Sequence, residues 1–231
     1  YWDDFSLLEF FETRLNLPVV VGNDASLAAL GEYRSGAGQG VNNMVYITLS
    51  TGIGGGLIVD GDLYVGRMGF SGEIGHISVE PDGYICNCGN RGCLELYASG
   101  PAILRQAIDR INNGDRTSLR TESDLTSKDI FRHASEGDIV SNEIVTGVGK
   151  YLGKGVVSIM NMFEPERIVF GGGVSESFDL LRPHIIRYVQ EYSMAHFEKK
   201  IDLRKSEFKE NSSLIGAAYY ALLYSEQRNV L

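Results

Sequence analysis

Apolar residues at Leu8, Phe11 and Leu15 recur at helical spacing within DDFSLLEFFETRLNLP, which predicts an amphipathic helix ended by Pro18. VVVGND then reads as a short buried strand and ASLAALGEYRSG as an alanine-rich helix stopped by Gly36. Asn23 and Asp24 therefore fall at the carboxyl end of that strand, where open α/β sheets place their ligands. From Met44 the pattern becomes MVYITL, a strand, followed by the glycine block STGIGGG and by LIVDGDLYVG. Asp60-Gly61 between two apolar runs is a hairpin signal, so strands flank the glycine block, which reads as a turn.

Further on, Ser99 and Pro101 suit the start of a helix running to about Asn113, and Ser127 marks another start. The run from Ile139 to Phe163 is helical in pattern but holds Gly147, Gly149, Gly153 and Gly155. Each glycine costs a helix about 1 kcal/mol relative to alanine, so close packing of a second helix, or a ligand, is expected beside them. RIVFGGGVSES repeats strand then glycines, FDLLRPHIIRYVQEY continues as a helix, and SSLIGAAYYALLYSEQ is an apolar-faced terminal helix.

Composition removes several functions. The chain has 231 residues, 43% of them hydrophobic, enough for one or two lobes with real cores. No run reaches the roughly 18 apolar residues of a membrane span and no signal-like stretch opens the chain, so the expected compartment is the cytosol. A net charge of -9 argues against this segment wrapping a nucleic acid, which needs Lys and Arg against phosphates. Residue 1 is Tyr rather than Met, so the chain is expected to be a fragment.

Candidate chemistry lies in three places. Thr51-Gly52-Ile53-Gly54-Gly55-Gly56 lacks the Lys and the following helix of a P-loop; it is either a tight turn or one whose bare N–H groups, with the Thr51 hydroxyl, approach phosphate oxygens. Asn23-Asp24 offers an amide to hold one hydroxyl and a carboxylate to deprotonate its neighbour, against the plainer reading that Asp24 caps a helix. The third is GHISVEPDGYICNCGNRGCLE, which contains all three cysteines. An odd number of thiols in a reducing compartment makes disulfides a poor reading. His76, Cys86, Cys88 and Cys93 instead make a closed zinc site, with Gly89 and Gly92 letting the chain fold back; the alternative is free buried thiols beside an unrelated His. With four protein ligands such an ion is structural, and it draws Glu73 and Glu95 beside the imidazole as acceptors for sugar hydroxyls, against the plainer reading that both are lone acidic surface residues. His133, His184 and His196 are assigned no role.

LSTGIGGGL, GRMGFSGEIGH and CNCGNRGCLE together resemble the signature of the ROK family, named for repressors, open reading frames and sugar kinases, and the resemblance runs from about Leu17 to the end. It implies an α/β, actin-like (ribonuclease-H-type) ATPase fold of two lobes with the site in the cleft. The expected division is 1–41 as the remainder of an incomplete N-terminal lobe, 42–209 as a C-terminal lobe, and 210–231 as a helix returning to the first lobe. For a kinase the resemblance makes Asp24 the general base toward a sugar 6-hydroxyl and assigns Asn23, Glu73, His76 and Glu95 to the sugar. It assigns Thr51, Gly52, Gly171, Gly172 and Gly173 to Mg-ATP. A front phosphate loop of Asp-x-Gly-Gly-Thr type is absent here, so the segment alone is expected to phosphorylate poorly. The implied activity is ATP-dependent phosphorylation of a glucose-like hexose, favoured because Asp24, Thr51, Gly52 and GGGVS are all present. The alternative is the sugar-sensing part of a transcriptional regulator, whose DNA contacts would lie outside this chain. A homodimer or higher homo-oligomer is implied by the resemblance alone.

Overall fold

The computed structural model describes residues 5–195 and 201–228; His196 lies outside the described residues. MVYITL forms β1 (Met44–Leu49), the central strand of a five-stranded sheet. It pairs antiparallel with β2 (Ile53–Val59) and parallel with β4 (Arg167–Gly171). The sheet is completed by β3 (Asp62–Tyr64) beside β2 and β5 (Leu203–Lys205), parallel to β4, giving the order β3-β2-β1-β4-β5. Asp60 and Gly61 both take positive φ, 52° and 88°, as the tight turn between β2 and β3 requires.

An uninterrupted apolar strand needs cover on both faces, and β1 has it. Val45, Ile47 and Leu49 point into the larger core, with Val148, Leu152 and Ile159 of α6 (Ile139–Phe163) and Leu181 and Ile185 of α7 (Phe178–Tyr192). Met44 and Tyr46 point the other way, into a smaller core with Ala28 and Ala29 of α2 (Asp24–Ser35). The chain further contains α1 (Leu7–Leu15), which buries no residue, and α3 (Glu95–Ala98), α4 (Gly100–Asn112) and α5 (Ser127–Ser135) beside α6, and it closes with α8 (Ser212–Arg228) lying on α2. Among the described residues no helix is long and apolar enough to cross a membrane.

Two local expectations change. Residues 19–22 are neither a strand nor buried: no described strand lies beside them to share hydrogen bonds, and Val21 is exposed. The glycine block is only partly a turn: Ser50, Thr51 and Gly52 turn, while Gly54, Gly55 and Gly56 sit within β2. Their bareness lets neighbours approach the strand, since a Cβ on Gly56 would stand 2.6 Å from the Cβ of Ala29 in α2.

The glycines of α6 answer to packing. A Cβ on Gly149 would collide with His184, one on Gly153 would meet the Tyr188 Cβ at 2.5 Å, and one on Gly155 would meet Leu94 at 2.8 Å. Gly149 and Gly153 bring α7 close, whereas Gly147 has no such neighbour within 4 Å.

Candidate functional site

The parallel strands β1 and β4 end side by side, and the residues after them, Ser50 to Gly52 and Gly172 to Gly173, open onto a cleft. The N-terminus of α2 enters the same place. Asn23 caps that helix, its Oδ1 accepting the Ser26 N–H at 3.0 Å. The capping role therefore falls to Asn23 rather than to Asp24, which is the first helical residue; its Oδ1 accepts only the adjacent Ala25 N–H, at 2.9 Å. The Asn23 amide nitrogen and the outer Asp24 oxygen remain available to a ligand.

One part of the cleft, about 400 Å³, is lined by Asn23, Asp24, Thr51, Gly52, Glu73, His76 and Glu95, with Thr48, Ser50 and Ser71. A second, about 300 Å³, shares Asp24, Thr48 and Ser50 with the first and adds Tyr46, Gly172, Gly173, Lys209 and Ser212. A third, about 420 Å³, continues from Gly172, Gly173 and Lys209 to Lys128, Glu176 and Phe208. Most of the residues singled out in the sequence are thus gathered along one trough. Gly171 is not: it stays within β4, and the Tyr46 hydroxyl occupies the space where its side chain would be. Ser50, Thr48, Lys128 and Lys209 carried no signal of their own; only the neighbouring Thr51 pointed toward Ser50.

The cysteine segment is a compact knuckle. Cys86 N–H donates to the Asn90 carbonyl at 2.7 Å and Gly89 N–H returns to the Cys86 carbonyl at 2.9 Å. Gly89 and Gly92 take φ of 92° and 67°, values that a side chain would strain. A bridge from Ile85 to Arg91 closes the knuckle, and one from Ser78 to Cys93 ties it to the segment after His76. The result brings the three Sγ atoms and a His76 nitrogen within 4.8 Å of one another. Cys86 Sγ lies 3.7 Å from His76 Nδ1, and Cys88 and Cys93 Sγ are 3.6 Å apart. A tetrahedron with Zn–S bonds of about 2.3 Å has edges of roughly 3.7 Å, so the donors fit such an ion. Burial, then the Cys88 and Cys86 thiols crowded around it, push the Cys93 thiol up to about 12.

The same imidazole faces the cleft. His76 ends the 3₁₀ turn Ile74–His76; its Nε2 is 3.9 Å from Glu73 Oε2 and its Nδ1 3.8 Å from Glu95 Oε1. Glu95, at the start of α3, also accepts from Cys86 Sγ at 3.5 Å. The ring is thus bordered by two carboxylates, Glu95 beside the nitrogen that meets the Cys86 thiol and Glu73 beside the other. His133 and His184 stand apart. His133 is buried in α5 between Ser118 Oγ at 2.6 Å and Glu122 Oε1 at 2.9 Å, while burial and then Arg187 hold the His184 imidazole below its ordinary range.

The chain is 38% identical over 233 aligned positions to the glucokinase of Halalkalibacterium halodurans, covering 99% of this chain and 70% of that one. Among solved structures it superposes with a TM-score of 0.82 on the ROK family glucokinase of Streptomyces griseus in complex with glucose and AMPPNP, at 36% identity, over 93% of this chain and 71% of that one. A ROK family transcriptional regulator, a homolog of the E. coli MLC protein, superposes with a TM-score of 0.86 at 36% identity over 92% of this chain, which spans only 54% of the regulator. The sheet order and the helices on both its faces are those of the actin-like, ribonuclease-H-type ATPase fold. The family model described as "ROK family" matches residues 1–223, and the chain belongs to the ROK family.

Proposed function

We propose that the chain is the sugar- and nucleotide-binding part of an ATP-dependent sugar kinase that transfers the γ-phosphoryl group to the 6-hydroxyl of a glucose-like hexose. The observation that carries this reading is the position of Asp24. It borders both the cavity of Glu73, His76 and Glu95 and the adjoining cavity of Gly172, Gly173 and Lys209. A carboxylate at that junction meets a hydroxyl held on one side and a phosphoryl group held on the other.

The chemistry follows from these positions. Glu73 and Glu95 accept hydrogen bonds from sugar hydroxyls, the His76 Nε2 edge contacts another, and the Asn23 amide donates to a fourth group. This orientation turns a bimolecular step into a positioned one. Asp24 accepts the 6-hydroxyl proton as the sugar oxygen bonds to the γ-phosphorus and the bond to the departing ADP breaks. Thr51 and the backbone N–H groups of Gly52, Gly172 and Gly173 face the phosphates of Mg-ATP, the second substrate. His76, Cys86, Cys88 and Cys93 would hold a structural zinc, which when bound neutralises the thiolates and fixes the imidazole plane. With four protein donors such an ion would be structural, and proton transfer falls to Asp24.

A second reading has its own support in the regulator's TM-score of 0.86. A sensor would use the same sugar surface without turnover. The deciding experiment incubates the full-length protein carrying this chain with Mg-ATP and a set of hexoses and follows ADP and hexose phosphate. Equimolar formation of both supports the kinase. Tight glucose binding without any ADP sinks it in favour of the sensor.

A further inference from the structure

We propose that Glu32 is a positioning residue for the nucleotide: from within α2 it holds the 206–212 segment as one wall of the nucleotide side of the cleft. The inference rests on the kinase reading above and adds to it a residue that touches neither substrate. Glu32 has no exposed surface. A buried carboxylate is costly unless its lone pairs are filled, and here five donors fill them. Oε1 accepts Ser206 Oγ at 2.5 Å, Ser212 Oγ at 2.7 Å and the Phe208 N–H at 3.1 Å. Oε2 accepts the Ala37 N–H at 2.9 Å and the Glu207 N–H at 3.2 Å. Burial alone would raise the carboxyl, and the bonds from Ser206, Ser212, Ala37 and Phe208 outweigh it, holding the group below the usual carboxylate range.

Four of the five donors belong to one segment, and that segment is the wall. Phe208, Lys209 and Glu210 border the nucleotide cavities opposite Gly172 and Gly173. Lys209 takes a positive φ of 53°, an uncommon conformation for a side-chain-bearing residue, and its N–H is held by Ser206 Oγ at 3.0 Å. Ser206 N–H in turn reaches the Phe170 carbonyl at 2.8 Å, on the strand that leads to Gly172. Both walls are therefore referred to one buried anion. The same helix begins at Asp24, eight residues earlier, a rise of about 12 Å. One rigid element thus sets how far the proton acceptor stands from the nucleotide wall.

Glu32→Gln separates positioning from packing, because the amide has the same shape but one wrong face. With its NH2 toward the Oε1 position it opposes the Phe208 N–H; toward the Oε2 position it opposes those of Ala37 and Glu207. Serine hydroxyls can reverse, but backbone N–H groups cannot. In the full-length protein we expect calorimetric affinity for Mg-AMPPNP to fall about tenfold in Glu32→Gln, with glucose affinity unchanged. The KM for ATP should rise with it while the KM for glucose stays. Ser206→Ala, which removes one donor to Glu32 and lines none of the cavities described above, should weaken Mg-AMPPNP by about two- to fivefold and carry the test if the Glu32 variant fails to fold. Wild-type nucleotide binding that the folded variants retain, even with a lowered Tm, overturns the role of Glu32 alone. A wild-type protein that binds glucose but not Mg-AMPPNP overturns the kinase reading, and the inference with it.

Discussion

His76 and Cys86 stand 3.7 Å apart, Nδ1 to Sγ, and the Nε2 atom of the same ring is 3.9 Å from Glu73 Oε2. Whatever fixes the thiols fixes the imidazole, and so the edge offered to a sugar. Cys88 is exposed, so changing it removes little packing and acts mainly through the ion. The purified protein should contain about one zinc per chain by elemental analysis. Cys88→Ser should lose the metal and with it at least about tenfold in glucose affinity. A metal-free protein that is fully folded and binds glucose normally contradicts this account.

Asp24→Asn keeps the size of the first residue of α2 and leaves the Asn23 cap in place. In the full-length protein its turnover should fall by about 10²–10⁴-fold, the usual contribution of a general base, while glucose affinity measured by titration stays nearly the same. A variant that retains wild-type turnover removes Asp24 from the reaction.

These two sites were legible because their signals are local. The thiols, His76 and Glu95 lie within one short stretch, and Asn23-Asp24 opens an alanine-rich helix of recognisable period. The Asp60-Gly61 hairpin, α2 and α6 were legible for the same reason, each being written in consecutive residues. What the sequence did not carry is what depends on distant partners. β5 has only three residues and exists through its pairing with β4. Residues 19–22 have strand composition but no adjacent strand, so composition overstated them. Gly54 to Gly56 read as a turn because nothing local announces that α2 will lie on β2. Glu32 looked like any helix glutamate, since four of its donors are contributed by the 206–212 segment, far along the chain.

Within α6, Gly147 and Gly153 should respond to alanine with opposite signs. Nothing lies within 4 Å of a Cβ at Gly147, so Gly147→Ala gains helix propensity of up to about 1 kcal/mol. At Gly153 the new carbon would stand 2.5 Å from the Tyr188 Cβ, whose position is fixed by the α7 backbone and does not change with side-chain rotation. Overpacking of that kind costs about 1–3 kcal/mol, enough to outweigh the propensity gain. Thermal melting should raise Tm for Gly147→Ala and lower it for Gly153→Ala, by about 2–4 °C per kcal/mol in a chain of this size. Equal shifts in both would mean that the helix crossing does not depend on the glycine.

Asp138 should make the stability of α6 depend on pH in acid. Its Oδ2 caps the helix by accepting the Ser141 N–H at 2.9 Å, and also accepts Ser141 Oγ at 2.8 Å and Thr117 Oγ1 at 2.9 Å, while Oδ1 accepts the Ser118 N–H at 2.9 Å from the preceding turn. Burial would raise this carboxyl, but the bonds from Ser118, Ser141 and Thr117 together prevail and hold it at about 2, below its ordinary 3.8. A group more acidic in the folded than in the unfolded chain adds stability that is complete above the unfolded value and is lost as pH falls through the folded one. The window is therefore from 3.8 down to about 2. Because the side chain is only half-buried, solvent screens part of the effect, and the cost of Asp138→Ala at neutral pH is set by the cap at about 1 kcal/mol. Urea unfolding of wild type and Asp138→Ala should show a constant difference down to 3.8 that narrows toward about 2. Asp138→Asn keeps an acceptor for the Ser141 N–H but has no proton to gain, so its stability should lack the extra acid slope. A difference between wild type and Asp138→Ala that stays constant through the whole window would show that the cap acts without its charge.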